Sequence, residues 1–325
     1  MPDDRRRALV GDIGGTHARF AISDIDRLTI EHFTLYKTRD FSSFEDAVSA
    51  YYRAIDERPR MAAFAIAGPI TGDTVALTNA PWSFTTAGIR EATGIKNVTL
   101  LNDFEAIALS LPYLADSDLQ RIGGTQINET APRLVLGPGT GFGVSGLVPV
   151  ADGWSATSGE GGHVSFGATS AREMAILEHL AWEFGHVSIE RVLSGSGIEA
   201  IHAALGRLKN GRTATLPAAE IVARADAGGD AHATQTLSCF VSVLARTAGD
   251  FALVFGARGG VYLGGGIAPR ILTHLTSGAF RKAFENKGRM SSYLAQIPAF
   301  VITAKDPGLR GAAVALAQKR PAKAH

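Results

Sequence analysis

The stretch Ala8–Asp24, ALVGDIGGTHARFAISD, runs an apolar segment into an aspartate, two glycines and a threonine, and then turns apolar again. Strand, glycine turn, strand is the reading that pattern allows, since glycine-rich connections of a few residues reverse the chain between β-like runs. Residues 133–150, RLVLGPGTGFGVSGLVPV, have the same shape. We read the pair as an internal duplication, on shape rather than on sequence identity.

The rest of the chain alternates. TIEHFTLYKT extends the opening strands, SSFEDAVSAYYRAI has helical spacing with Ser42 or Ser43 as its cap, and MAAFAIAGP and NVTLL are strands. DFEAIALSLPYL places Phe104, Ile107, Ala108 and Leu111 on one helical face. In SAREMAILEHLAWEF, Ser170 and Glu173 have the spacing of a capping box, and Ile176, Leu177, Leu180 and Phe184 form a stripe. Residues 229–255 read as mostly helical, GGVYLGGGI as a strand ending in glycines, and residues 308–319 as a closing helix. Alternation of this kind predicts an α/β fold with mixed sheets flanked by helices. At 325 residues the chain exceeds the ~250–300 at which single cores stop growing, so two domains are expected. We divide it into residues 1–110, completed by 302–320, and residues 111–301.

Composition excludes several functions. A net charge of +1 offers no field for a nucleic acid or a membrane surface. The single cysteine, Cys239, rules out an internal disulfide and a multi-cysteine metal site, and suits a reducing compartment. Only Ala8-Leu9-Val10 follows Arg5-Arg6-Arg7 before Gly11, too little for a signal peptide. No run approaches the ~18 apolar residues of a membrane span, and the basic QKRPAKAH end reads as a solvated tail. The expectation is a soluble cytoplasmic protein.

Every polar motif follows a predicted strand, and ligands of α/β folds gather at the carboxyl ends of strands. Gly11-Asp12-Ile13-Gly14-Gly15-Thr16 and the Gly139-Thr140-Gly141 turn supply glycines and a threonine hydroxyl, which let backbone N–H groups approach a polyphosphate. Asp12 beside them suits Mg²⁺ held through water. The alternative is a pair of hairpin turns whose glycines serve only the turn. GFGVSG at 141–146 matches G-x-G-x-x-G, yet strand-like residues and a proline follow it, so no dinucleotide-binding helix starts there. G-x-x-x-x-G-K-[ST], G-x-S-x-G and H-E-x-x-H are absent.

Asn102 and Asp103 follow NVTLL, Glu160 and His163 lie in a glycine-rich turn, and Glu190 falls at a helix start. An amide, carboxylates and an imidazole suit a polyhydroxylated ligand, because they take paired hydrogen bonds from adjacent hydroxyls. The alternatives are a helix cap for Asn102, a helix-dipole role for Asp103, an ordinary first-turn acid for Glu190 and a carboxylate–histidine metal site.

LVGDIGGTHARFAI, AGPITGD, LTNAPWSF, LNDFEAIA, LGPGTGFGV, GEGGHVSF, ERVLSGSGI, GGVYLGGGI and DPGLRGAA together resemble bacterial glucokinase of the type without the zinc-binding signature. The resemblance runs from about residue 8 to residue 317. It implies a two-domain actin-like ATPase fold of hexokinase type with an interdomain cleft, and phosphorylation of glucose by ATP at the 6-hydroxyl, feeding glycolysis. It implies Asp103 as catalytic base, Asn102, Asp103, Glu160, His163 and Glu190 as glucose ligands, the two glycine loops as phosphate sites, and Gly264-Gly265-Gly266 at the nucleoside. It also implies a homodimer. The chain departs from the family at His17, where asparagine is usual, next to the first phosphate loop. A kinase for another hexose and a non-catalytic sugar sensor are the alternatives. The sensor is disfavoured because the first strand begins within ten residues of Met1.

Overall fold

A computed structural model describes residues 6–68, 70, 72, 74–77, 82–125, 127–211 and 216–319. Pro69, Thr71 and Asp73 of AGPITGD, residues 78–81 of LTNAPWSF, Arg5 and the last six residues of the basic tail lie outside them. The chain divides into two units. The first holds the residues through Ala115, Trp154–Ser158 and the residues from Ala304 on; the second holds Asp116–Gly153 and Gly159–Thr303.

In the first unit, β1 (Arg7–Ile13) and β2 (His17–Asp24) form the expected hairpin, and β3 (Thr29–Lys37) follows. Ser43 caps α1 (Phe44–Ala54) by accepting the Asp46 N–H at 3.0 Å. After it come β4 (Met61–Ile66), the short pair β5 (Thr74–Ala76) and β6 (Ser83–Thr85), α2 (Thr86–Thr93), β7 (Asn97–Asn102) and α3 (Asp103–Ser110). The sheet order is β3-β2-β1-β4-β7, with β1, β4 and β7 parallel. Its core is aromatic: Phe44 stacks on Phe84 at 4.3 Å and meets Phe64 edge-on at 5.1 Å. Edge-on and offset rings add to area burial because ring edges and faces carry opposite partial charge. The closing helix, Pro307–Gln318, packs on α3 so tightly that a Cβ on Gly311 would overlap the Ala106 carbonyl.

The second unit contributes β8 (Leu119–Gly123), β9 (Arg133–Pro138) and β10 (Phe142–Val150); the chain then forms β11 (Gly153–Thr157). The helices α4 (Ala171–Phe184), α5 (Ile189–Val192), α6 (Gly195–Asn210), α7 (Ala218–Ala227) and α8 (Ala231–Phe255) follow. β12 (Val261–Leu263), α9 (Leu272–Thr276), α10 (Ala279–Glu285), α11 (Ser291–Gln296) and β13 (Ala299–Ile302) complete it. The strand order is β11-β10-β9-β12-β13-β8, with β12 parallel to both β9 and β13. Hairpin first, then parallel strands on its leading side, is the order of the other sheet too, so the duplication read from shape exists as topology. GFGVSG falls within the β9–β10 hairpin, as its strand-like flank required.

Among the described helices only α8 is long and apolar enough to cross a membrane, and it is mostly buried. Phe240, Val243, Leu244 and Ala248 on it have no exposed surface. Cys239 lies buried there too, and burial pushes its thiol up to about 11, far from a reactive thiolate. At the start of α4, Ser170 accepts the Glu173 N–H at 3.2 Å as the capping box requires. The reciprocal half differs. The Glu173 carboxylate takes the Thr169 N–H at 2.7 Å and pairs with Arg246 at 2.8 Å. A cation arriving from α8 turns the side chain away from the cap, and no local spacing could announce it.

Candidate functional site

In the first unit, Ile13, Ile66 and Asn102 are register partners across β1, β4 and β7, so these three parallel strands end in one row. Strands lie ~4.8 Å apart, which puts the backbone at Ile13 about 10 Å from that at Asn102. The Gly14–Thr16 turn leaves one end of this row and Asp103 the other.

Gly11 and Ile13 belong to the strand itself. Both are buried, and a Cβ on Gly11 would stand 2.6 Å from the Phe64 ring. Any contact they make with a ligand runs through backbone. The turn is closed by Gly14 N–H donating to the His17 carbonyl at 2.9 Å, while the Thr38 hydroxyl donates to the Gly14 carbonyl at 3.2 Å. Thr16 is exposed.

Asp12 is the cross-strand partner of Arg19, whose Nη1 donates to its Oδ2 at 3.1 Å. Desolvation raises the pKa of Asp12 against the opposing pull of Arg19, and Asp306, ahead of the closing helix, raises it further. Asp306 is itself raised by burial. A Cβ on Gly308 would stand 3.2 Å from the Asp12 carboxyl carbon, so the closing helix begins against this carboxylate. Two partly desolvated carboxylates sharing one guanidinium offer hard oxygen donors with residual negative charge, which fits Mg²⁺ held through water.

Asn102 caps α3. Its Oδ1 accepts the N–H groups of Phe104 at 2.9 Å and Glu105 at 3.3 Å, its Nδ2 donates to the Gly68 carbonyl at 3.3 Å, and Glu105 reaches back to its N–H at 3.4 Å. Asp103 is the first residue of the helix, half-buried, with Oδ1 accepting the Phe104 N–H at 2.9 Å. Negative charge is favoured at a helix N-terminus.

The second unit assembles its candidates around Phe142, the first residue of β10. Glu190 Oε2 accepts the Phe142 N–H at 2.8 Å. On the carbonyl side of the same residue, Gly162 packs so closely that a Cβ would overlap the oxygen. The 3₁₀ turn Gly161–His163 thereby brings Glu160 and His163 to the residue that Glu190 holds. The His163 Nε2 lies 3.9 Å from Glu160 Oε2, and both side chains are exposed.

The two glycine loops of this unit pack on each other. A Cβ on Gly137 would overlap the Gly264 carbonyl, and Gly265, at φ 78°, would meet the Pro138 carbonyl at 2.5 Å. Gly139 has only ordinary room, 3.9 Å to the Gly266 nitrogen, and Gly266 faces open space. Thr140 is exposed. The Gly139–Gly141 turn closes through Gly139 N–H to Gly141 O at 2.8 Å. The α6 N-terminus docks on that turn, with the Gly195 N–H donating to the Gly139 carbonyl at 3.0 Å and Ser194 capping the helix. Two features of the neighbourhood were missed in the sequence, the α6 start at Ser194–Gly197 and Asp306. SGSG ahead of an apolar-periodic run, and Asp306-Pro307 ahead of the closing helix, are helix-start signals that would have found both.

Two hairpin-led sheets with polar turns at their carboxyl ends are shared with solved glucokinases and give a fold of the hexokinase–actin type. The solved ROK family glucokinase from Streptomyces griseus, in complex with glucose and AMPPNP, shares that fold with a TM-score of 0.63 at 16% identity, over 94% of this chain and 98% of its own. The glucokinase from an Antarctic psychrotroph is nearer, with a TM-score of 0.85 at 37% identity, over 97% of this chain and 99% of its own. A glucokinase of Chromobacterium violaceum is 46% identical over 310 residues, 95% of this chain and 89% of that protein. The family model for glucokinase matches residues 9–319, and the chain belongs to the glucokinase family.

Proposed function

We propose that this chain transfers the γ-phosphoryl group of ATP to the 6-hydroxyl of glucose, with Asp103 as the base. Family membership supports the reaction. The observation that supports the residue is the row Ile13–Ile66–Asn102, which sets Asp103 and the Gly14–Thr16 turn about 10 Å apart on one edge of one sheet. That span accommodates a phosphoryl group approached by a hydroxyl.

Phosphoryl transfer passes through a loose transition state, so the protein contributes position and charge more than covalent chemistry. Backbone N–H groups of the 14–16 and 139–141 turns, other than those of Gly14 and Gly139 that close the turns, receive phosphate oxygens. Asp103 accepts a hydrogen bond from the 6-hydroxyl and takes its proton as the bond to phosphorus forms. Glu160, His163 and Glu190 orient the sugar through its other hydroxyls. Asn102 caps α3 with its carbonyl oxygen, so only its amide nitrogen is offered to glucose. Asp12 and Asp306 would hold hydrated Mg²⁺, which when bound neutralises phosphoryl charge. A homodimer, which rests on the family resemblance, and a cytoplasmic location, which rests on the single cysteine and the composition, complete the reading.

Asp103→Asn tests it. Asparagine still accepts the Phe104 N–H, so α3 keeps its first turn, while the proton acceptor is lost. Turnover should fall ~10²–10⁴-fold, the range of general-base catalysis, with the glucose Kd within a few-fold of wild type. Near-normal turnover removes Asp103 from the chemistry.

A further inference from the structure

Glu105 has no part in the reaction described above, yet its carboxylate holds two groups that do not otherwise meet. Oε2 accepts the Ser158 hydroxyl at 2.8 Å and the Asn102 backbone N–H at 3.4 Å. The second bond closes the capping box that fixes the first turn of α3, where Asp103 sits. The first bond reaches a remote stretch of chain: Ser158 is the last residue of the segment Trp154–Ser158, which belongs to the first unit although the chain on either side of it does not. Gly159 follows, where a Cβ would meet nothing within 4 Å, and then comes Glu160. Two trans peptide steps span at most ~7.6 Å, so the placement of Ser158 limits where Glu160 can begin.

We infer that Glu105 is a positioning residue for the sugar ligands, tethering to the α3 start the segment that leads into Glu160 and His163. A helix cap alone does not require this carboxylate to have a second partner 53 residues away. Nor does Ser158 serve the core, because it is exposed. With the tether in place, Ser158, the residue from which the glycine-rich turn 159–163 departs, is held to α3. Without it, the turn keeps its packing on Phe142 but loses the hold at Ser158, and the sugar must supply that part of the ordering at a cost in glucose affinity.

The inference rests on the proposed glucokinase reaction, and its test separates the two. Ser158→Ala removes the tether and leaves the capping box whole. Its KM and Kd for glucose should rise about three- to tenfold, the effect of one modest hydrogen bond, with kcat, the KM for ATP and the melting temperature unchanged. Glu105→Ala should raise the glucose KM equally and also lower the melting temperature, because the cap loses its second half. Glu105→Gln, whose amide oxygen accepts both donors, should restore the glucose KM. The double variant Ser158→Ala/Glu105→Ala should bind glucose no worse than either single variant, since one bond cannot be broken twice. A wild-type glucose KM in Ser158→Ala, or additive losses in the double variant, overturns the tether. A wild-type chain that phosphorylates no glucose overturns the functional reading beneath it.

Discussion

The glycines of the second unit should separate into two kinds under alanine substitution. Gly137 is required by packing. Its Cβ would overlap the Gly264 carbonyl, a backbone atom that no rotamer change can move. To admit a methyl the two loops must part, and the hydrogen bonds Gly264 N–H to Leu136 O at 2.9 Å and Ile267 N–H to Pro138 O at 3.1 Å stretch with them. Overpacking costs ~1–3 kcal/mol and each backbone bond ~1 kcal/mol, so Gly137→Ala should lose about 3–5 kcal/mol. At ~2–4 °C per kcal/mol for a unit of this size, the melting temperature falls by roughly 6–20 °C. Gly139 is different, with nothing nearer than 3.9 Å to its would-be Cβ and an ordinary negative φ. Gly139→Ala should melt within about 2 °C of wild type. If this turn receives phosphate, its methyl blocks the approach and removes a charge-assisted bond of ~1.5–3 kcal/mol, raising the KM for ATP about 10- to 100-fold. The assay is a coupled measurement of glucose 6-phosphate formation with a thermal melt of each variant. Equal destabilisation of both variants with an unchanged KM for ATP in Gly139→Ala would refute the distinction.

Two further outcomes follow from buried charge. Arg19 is the guanidinium opposed to the desolvation of Asp12, so Arg19→Met should leave that carboxylate inclined to neutrality and raise the Mg²⁺ concentration needed for tight ATP binding several-fold. Calorimetric ATP titration at graded Mg²⁺ checks it, and an unchanged Mg²⁺ dependence counts against Asp12 as the cation's residue. Glu173 is buried, and although burial raises its pKa, Arg246 and Thr169 outweigh that and hold it below the ordinary 4.5. A depressed carboxylate pKa stabilises the fold above the unfolded value, and the contribution is lost as pH falls through the folded one. Wild type should therefore keep a flat melting temperature from pH 7 to 5.5. Arg246→Met leaves Thr169 alone to oppose burial, and the sign should invert. That variant should lose ~3–5 kcal/mol at pH 7 and recover part of it on acidification to pH 5.5 as Glu173 takes a proton. A further loss on acidification would contradict the assignment.

What the sequence made legible was whatever a short window determines. Strand–turn–strand at 8–24 and 133–150 became hairpins because glycine at a reversal and β-branched or apolar flanks act over a few residues. Ser43 and Asn102 became caps for the same reason, since a cap and the N–H groups it accepts are neighbours in the chain. What escaped was set by partners far away. Glu173 was read as half of a capping box because Arg246 is 73 residues off. Gly137 stands in the same glycine-rich stretch as the turn read as a phosphate site, yet its nearest neighbour is Gly264. The glycines of a binding loop and those of a loop–loop contact share one residue type, and only the fold tells them apart.

The sheet supplies the length scale that the proposed chemistry needs. Three adjacent parallel strands end in register at Ile13, Ile66 and Asn102, so the turn for phosphate and the base are separated by two strand spacings. One spacing, ~4.8 Å, is too short to hold a phosphoryl group and an attacking hydroxyl between two protein groups; two, at about 10 Å, suffice. The middle strand must then keep its own end out of the gap. β4 does so by passing into Ala67 and Gly68, small residues whose backbone is taken up by the Ile13 carbonyl, at 2.9 Å from Ala67 N–H, and by the Asn102 amide, at 3.3 Å from the Gly68 carbonyl. One N–H of the Asn102 amide thus keeps the floor of the gap in place, and its second N–H is the one left for glucose. A bulky side chain at Gly68 should lower turnover even though the residue touches neither the proton nor the phosphate.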